Sequence, residues 1–534
     1  MIIIDKNTSE SEIFSILLKN RSIDPKNLAE FLKPAPPQNL SVTDFGVSHL
    51  QLQKAIKKIN LAIKKQQNIL IYGDYDVDGI TATAILWQVL YNKNPHVLPF
   101  VPDRQNDGYG IKASSFFKFE SEKKIKFDLL ITVDNGIVAN PELQKILDSG
   151  TEIIVIDHHV ADKKLPKSII TVHSTKVSGA ALSWIVAKEI NKTADLGLAA
   201  LGTVTDCLPL NNINRNLVYH GLLSLRLNPN CGIKKLIQIS GIKPDSISTY
   251  DLGFILGPRI NAVGRLSNPT DALRLLCSCS LPQANKFAQI LDDYNKDRQT
   301  LQQESIDLAK KLVEKNKNKV LFVADKSFHP GIIGLIAGRL TEKYHLPSIA
   351  ISIDNGVAKG SCRSIKELNI IETLRQLSHE LIELGGHSGA AGFSIKTSNI
   401  PKFKKDITKL INQKLKGKEL KPEKLIDAEM RLDAVTLKNC RLIQKLQPFG
   451  IGNPEPQFLF KDLKIAQKRL LGSKQEHLKL NFSGIDAIAF KKGELGKDLK
   501  VGDTVDIIAK LSINTWGSSV SPQLIVNDIL PINS

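Results

Sequence analysis

The chain is short of cysteine and aromatic residues, and it contains no long apolar run. Its six cysteines, Cys207, Cys231, Cys277, Cys279, Cys362 and Cys440, form no Cys-x-x-Cys pair among 534 residues. That excludes a disulfide framework, disfavours a structural zinc, and fits a reducing cytoplasm. No segment reaches membrane-spanning length. Met1-Ile2-Ile3-Ile4-Asp5-Lys6 also lacks a basic region followed by a long apolar core, so a cytoplasmic protein with no membrane partner is expected. Phe, Trp and Tyr make up only 6% of the residues. Base-stacking platforms should therefore be few, and Phe482 and Trp516 are weak candidates whose commoner role is core packing. No low-complexity tract or fixed-period repeat is present, which excludes solenoids and arrays.

What is there instead is positive charge, together with carboxylates set at the ends of apolar runs. With 72 Lys and Arg against 54 Asp and Glu, the net charge is +18, which favours a polyanionic partner such as nucleic acid. Lysine scattered over solvated surfaces is the bland alternative. The run Asn68-Ile69-Leu70-Ile71-Tyr72 reads as a buried strand that opens into Gly73-Asp74-Tyr75-Asp76-Val77-Asp78-Gly79. Three carboxylates alternate along that turn, where repulsion raises each pKa, so the stretch needs a cation. Two more apolar runs end the same way, one in Asp134-Asn135-Gly136 and one in Asp157-His158-His159. A single acidic strand end is most often a helix N-cap or a loop carboxylate. Three together imply divalent ions held by carboxylate and imidazole, and imidazole tips the preference toward Mn²⁺ over Mg²⁺. A carboxylate shared by two ions would hold them roughly 3.5 to 4 Å apart, where a bridging water can attack phosphorus.

Length alone predicts several domains, because single cores stop growing at roughly 250 to 300 residues. Residues 1–45 read as a helical lead-in. Strands and helices alternate over 46–282, the pattern of an α/β fold with a parallel sheet. The polar helical stretch 283–315 suits a connecting spacer, and a smaller α/β domain follows over 316–417, with strands near 320–323 and 348–352 and helices near 332–343 and 367–383. Lysines over 402–424 suggest a basic linker, and 418–457 reads as a connection to the last domain. Residues 458–534 alternate in short runs, as in an antiparallel β-barrel of the OB type.

The acidic turn, Asp134-Asn135-Gly136, Asp157-His158-His159 and Gly385-Gly386-His387 together resemble the DHH phosphoesterase superfamily. Further segments resemble its single-strand-specific exonuclease branch, which carries DHH and DHHA1 domains. These are Gly257-Pro258-Arg259-Ile260-Asn261-Ala262-Val263-Gly264-Arg265, His329-Pro330-Gly331-Ile332-Ile333-Gly334, Lys359-Gly360-Ser361-Cys362-Arg363 and Pro448-Phe449-Gly450-Ile451-Gly452-Asn453. The likeness runs through nearly the whole chain.

The resemblance implies a catalytic set of Asp76, Asp78, Asp134, His158, His159 and Asp206. All but His159 would be metal ligands for two ions, Mn²⁺ or Mg²⁺, with Asp134 as the bridge. Where many superfamily members place a histidine ligand, this chain has Tyr72, and water or Asp74 would complete that ion's shell. Arg259, Asn261 and Arg265, in a loop exposing its backbone, would meet the phosphate beside His159. Arg104, Ser361 and Arg363 resemble the pocket for a terminal 5′-phosphate, and Gly386 and His387 would approach the same anion. The implied activity is 5′-to-3′ removal of mononucleotides from single-stranded DNA in repair and recombination, in a cleft too narrow for duplex. A helicase and a single-strand-binding protein would be its partners. Two alternatives stay open: a relative that cleaves short oligonucleotides or phosphorylated nucleotides, and a catalytically dead single-strand-binding scaffold.

Overall fold

The protein, a computed structural model, is described over residues 2–103, 107–108, 110–161, 164–516 and 519–531. It divides into two compact units, one of Met1–Pro102, Tyr109–Gly257 and Lys424–Ser534, the other of Asp103–Gly108 and Pro258–Glu423. The expected block 46–282 is therefore cut at residue 257. Residues beyond it cluster with the second unit, where the helix Thr270–Leu276 packs on the long helix that follows.

The first unit opens with β1 (Ile3–Ile4) and the helix Glu10–Asn20, started by a capping box of Ser9 and Glu12. A five-stranded parallel sheet follows, made of β2 (Ile69–Tyr72), β3 (Val97–Phe100), β4 (Leu129–Val133), β5 (Glu152–Asp157) and β6 (Ile170–His173). Its order is β3-β2-β4-β5-β6, so β2, β4 and β5 lie side by side at its centre. Every residue of β2 and β4 is buried, as apolar runs covered on both faces require. The helices Val77–Tyr91, Gly179–Ile190 and Leu196–Thr205 pack on one another beside the sheet. Parallel strands deliver their C-terminal ends to one edge, the usual place for a ligand crevice. Tyr72, expected to mark a difference in the site, is wholly buried, with its ring 4.9 Å from that of Phe100.

The second unit holds β7 (Leu321–Asp325), β8 (Ser348–Ser352), β9 (Val357–Arg363), β10 (Leu381–His387) and β11 (Ala390–Lys396), ordered β10-β11-β9-β8-β7. The expected spacer is the 33-residue helix Leu281–Val313. It packs on the helices Thr270–Leu276 and Ile333–Tyr344 of its own unit, burying Ala284, Ala288 and Leu291. The helix expected near 367–383 is only Ile370–Arg375, because the chain enters β10 at Leu381. The expected basic linker 402–424 begins as the helix Ile400–Lys414, which buries Ile400, Phe403, Ile407 and Ile411 at helical spacing.

The C-terminal strands return to the first unit as β12 (Ala428–Met430), β13 (Phe458–Lys464), β14 (Gln467–Leu471), β15 (His477–Phe482), β16 (Ile485–Ala489), β17 (Thr504–Trp516) and β18 (Ser519–Pro531). With β1 they make one sheet in the order β1-β12-β13-β17-β18-β16-β15-β14. Two expectations are corrected here. The lead-in is not separate, since β1 pairs in parallel with β12 and Ile13, Phe14 and Leu17 enter the core of the C-terminal strands. Residues 418–457 are not merely a connection, since β12 and the helix Leu437–Gln444 belong to that same core. Phe482 is buried within it and offers no stacking surface. No helix among the described residues is long and apolar enough to cross a membrane.

Candidate metal centre and phosphate-binding residues

The first unit gathers Asp76, Asp78, Asp134, His158, His159 and Asp206 at the sheet edge. Asp76 caps the helix Val77–Tyr91 by accepting from the Gly79 N–H at 3.1 Å. Asp78, two residues on in the first turn of that helix, accepts from the N–H groups of Gly179 (2.7 Å) and Ala180 (3.0 Å) at the start of another helix. Asp134 follows β4 with φ 59°, a left-handed conformation that a non-glycine residue holds only where its surroundings enforce it. Thr132 Oγ1 closes that turn by donating to the Asn135 carbonyl at 2.9 Å. Asp206 is the C-cap residue of the helix Leu196–Thr205.

Two close approaches require glycine. A Cβ on Gly179 would lie 2.6 Å from Asp134 Cβ, and one on Gly202 would lie 2.5 Å from Asp78 Oδ1. The helix starting at Gly179 and the helix ending at Asp206 are thereby pressed against the carboxylates.

His158 Nε2 stands at the centre, 3.1 Å from Asp134 Oδ1, 3.6 Å from Asp206 Oδ2 and 3.8 Å from Asp78 Oδ2. Among the described residues, three groups could each hold a cation with ligand atoms within 4.8 Å of one another: Asp74, Asp76 and Asp134; Asp78, His158 and Asp206; Asp134, His158 and His159. Asp134 and His158 each belong to two of them. Asp74, expected as an alternative to water in completing an ion's shell, supplies a ligand atom to the first of these three groups. The carboxylates behave as a set that lacks its counter-charge. Burial, then repulsion from Asp78, raises Asp76; burial, then Asp78, Asp76 and Asp74, raises Asp134 well above the carboxylate range; burial, then Asp78 and Asp76, pushes Asp206 to about 8. A divalent cation is the group whose charge and oxygen-and-imidazole preference fit such donors.

Asp157 acts differently. Its carboxylate accepts from the backbone N–H of Ile137, His158 and His159 at 2.9, 2.7 and 3.2 Å, and sits 2.8 Å from His159 Nδ1. Burial is the largest single influence and opposes its charge, but the His159 hydrogen bond, the His159 charge and the backbone donors together outweigh it and hold Asp157 below its ordinary value. The same bond raises His159 to about 9, which keeps the imidazole cationic at neutral pH.

In the second unit, Arg259, Asn261 and Arg265 lie on the α-helix Gly257–Leu266, not on the open loop expected from their glycines. Arg259 Nε donates to Asp292 Oδ1 at 2.9 Å, and Arg265 Nη1 donates to the Gly331 carbonyl at 3.1 Å. Ser361 and Arg363 share one face of β9, with Arg363 Nη1 3.4 Å from Ser361 Oγ. A Cβ on Gly334 would come within 3.2 Å of both side chains, so the helix Ile333–Tyr344 begins against them. Gly385-Gly386-His387, where Gly386 and His387 were expected to approach the anion, is the end of edge strand β10. Register puts His387 opposite Ala390, and Ala390 opposite Arg363. The face that carries Ser361, Arg363 and His387 is thus floored by Ala390, Gly385 and Gly392. Arg104 lies outside the described residues.

Two residues carry roles that no motif indicates. Asp157 stands inside the Asp157-His158-His159 run and braces it. Arg298, within the long helix, donates to Asn295 Oδ1 at 2.9 Å and Gln302 Oε1 at 2.8 Å. Burial and the neighbouring Arg259 and Arg339 lower its pKa, which marks a spot of excess positive charge.

A parallel sheet ending in this carboxylate and histidine cluster, with a second α/β unit carrying arginine beside a glycine-floored face, defines a DHH-type phosphoesterase. Family comparison agrees: residues 68–206 match the DHH family N-terminal domain, 317–413 the DHHA1 domain and 426–528 the RecJ OB domain. The single-stranded-DNA-specific exonuclease RecJ of Bacillus subtilis is 32% identical over 89% of this chain and 63% of its own length. RecJ of Thermus thermophilus is 30% identical over 90% of this chain and 71% of its own. A crystal structure of the Thermus thermophilus protein with Mn²⁺ superposes with TM-score 0.83 at 27% identity, covering 100% of this chain and 79% of that one. Another with Mg²⁺ gives 0.77 at 26%, covering 98% and 75%. The chain belongs to the RecJ family of single-stranded-DNA-specific exonucleases.

Proposed function

We propose that the protein removes mononucleotides from the 5′ end of single-stranded DNA, using Mn²⁺ or Mg²⁺. The observation that carries the reading is the sharing of Asp134 and His158 among three cation-sized groups of buried acids and imidazoles. Asp76, Asp78, Asp134, His158 and Asp206, with Asp74, would hold two ions. When bound, such ions supply Lewis acidity to a phosphoryl oxygen and lower the pKa of water. His159, kept cationic by Asp157, places positive charge against the scissile phosphate and can pass its Nε2 proton toward the leaving oxygen. Ser361 and Arg363, with His387 on the same face, the backbone of neighbouring Gly386, and Arg104 beyond the described residues, bind the terminal 5′-phosphate. Arg259, Asn261 and Arg265 add charge and hydrogen bonding for the following phosphates.

The OB domain supports a strand substrate over a dinucleotide-sized one, since small substrates need no such surface. The intact acidic cluster disfavours an inactive scaffold. A helicase that unwinds duplex and a protein that coats single strands are the fitting partners, in the cytoplasm.

The test is digestion of a single strand labelled at either end. Early release of the 5′ label with delayed loss of the 3′ label is expected. Release from the 3′ end first, or equal digestion of blunt duplex, would contradict the reading.

A further inference from the structure

Tyr250 and Phe254 are the most exposed aromatic side chains among the described residues, at 62% and 71%. Their rings stack on each other, with centroids 5.1 Å apart and planes 25° from parallel. Resting on the exonuclease reading above, we infer that this pair is a stacking platform for unpaired bases of the DNA strand.

The support beneath the rings is fixed. Ser248 donates from both its N–H and its hydroxyl to Asp251 Oδ2 at 2.8 Å. Thr249 Oγ1 donates to the Phe449 carbonyl at 2.6 Å, and Arg226 donates twice to the Ile247 carbonyl, at 3.1 and 2.6 Å. Ile247 and Leu252 are fully buried. The backbone is thus held on every side while the rings face water, an arrangement that folding does not demand.

The rings also stand close to the chemistry in construction. Tyr250 immediately precedes a π-helical turn, Asp251–Leu256, and Phe254 lies within it, a geometry that recurs at functional sites. That turn packs on the helix Leu196–Thr205, whose C-cap residue is Asp206. Gly253, between the two aromatics, faces Val204 of that helix, and a Cβ there would lie 3.6 Å from Val204 Cγ1. The Phe449 segment that holds Thr249 also holds the chain just after Asp206, where the Leu210 N–H donates to the Ile451 carbonyl at 2.6 Å. One support therefore carries a candidate metal ligand and the ring pair. A base offers a π-face of any sequence, so two parallel rings would hold a strand without reading it. The net charge of +18 supplies the attraction for its backbone.

The experiment measures binding of a fluorescent single strand in chelator, which prevents cleavage, to the full chain. Wild type, Phe254→Ala, Tyr250→Ala and Tyr250→Phe are compared on an intact strand and on one of equal length with abasic sites. On the intact strand, each alanine variant should bind about tenfold more weakly and Tyr250→Phe close to wild type. On the abasic strand the alanine variants should lose little more than wild type. Variants that bind the intact strand as wild type does, or that lose equally on both strands, overturn the platform alone, and the first outcome would leave the rings to a protein partner. A wild-type chain that neither binds nor digests the intact strand overturns the exonuclease reading with it. Melting temperatures that match wild type keep the comparison free of folding defects.

Discussion

Nδ1 of His159 lies 2.8 Å from Oδ1 of Asp157, a carboxylate 1% exposed at the end of β5. The two members of the histidine-bearing run thus divide the work: Asp157 braces, and His159 carries charge.

Asp157→Asn removes the anion from that pair, so the imidazole should return toward its ordinary value of about 6.5. Wild-type activity that requires cationic His159 should persist up to about pH 9 and decline above it. In Asp157→Asn the alkaline decline should move down toward neutrality, as a pH–rate profile will show. The stability share of this pair divides between its members. The share from His159 is full below the unfolded value of about 6.5 and lost as pH rises through the folded value, while the share from Asp157, whose pKa is lowered, is present above about 3.9 and lost as pH falls.

The acids of the cluster predict an opposing response to metal. Asp76 and Asp134 are raised and Asp206 is pushed to about 8, so the metal-free fold binds more protons here than the unfolded chain. Their contribution is full below the unfolded value of about 3.9 and lost as pH climbs toward the folded ones. The melting temperature of chelator-treated protein should fall between pH 5 and pH 8. The rise on adding Mn²⁺ should grow over that interval, because protons and metal compete for the same oxygens. Differential scanning fluorimetry at several pH values checks both trends.

Gly179→Ala and Gly202→Ala each force a methyl group to within 2.6 and 2.5 Å of the cluster acids. Overpacking of this kind costs about 1 to 3 kcal/mol. Because the obstructed atoms belong to Asp134 and Asp78, kcat should fall by about 100-fold or more even where the fold survives. Parallel melting and single-turnover measurements separate the two losses.

Arg363→Ala should weaken digestion of 5′-phosphorylated strands by at least about tenfold, and of 5′-hydroxyl strands much less. A charge-assisted bond to a terminal phosphate is lost only where that phosphate exists. Initial rates on the matched pair of substrates measure the difference, and equal losses would remove Arg363 from the 5′-phosphate pocket.

Much of this architecture was legible in the chain itself. The runs Ile69–Tyr72 and Leu129–Val133 declare buried strands because they are apolar without alternation, and their acidic ends declare a cation because like charges do not cluster unaided. What escaped notice depended on distant partners. Nothing near Asp78 indicates that its acceptors' donors are Gly179 and Ala180, a hundred residues on. The strand that carries Gly385 and Gly386 escaped notice because its neighbours across the sheet are invisible in sequence. In the fold a Cβ on Gly386 would collide with the Ala390 carbonyl oxygen, and Gly360 lies under the Phe393 ring. The lysines after residue 402 hid an ordinary amphipathic helix, since charge drew attention from the spacing of Phe403, Ile407 and Ile411. Ile3 and Ile4 could not reveal that they pair with residues 429 and 430.

The central claim is that the acids and imidazoles around Asp134 perform the hydrolysis with divalent metal. The most direct measurement is release of nucleotide from a 5′-labelled single strand by chelator-stripped protein, before and after Mn²⁺ is restored, for wild type and Asp134→Asn. Wild type should be inactive when stripped and recover on Mn²⁺ addition, while Asp134→Asn should stay at least about 10³-fold slower at every Mn²⁺ concentration. Activity that survives stripping, or an Asp134→Asn protein that matches wild type, would contradict the account.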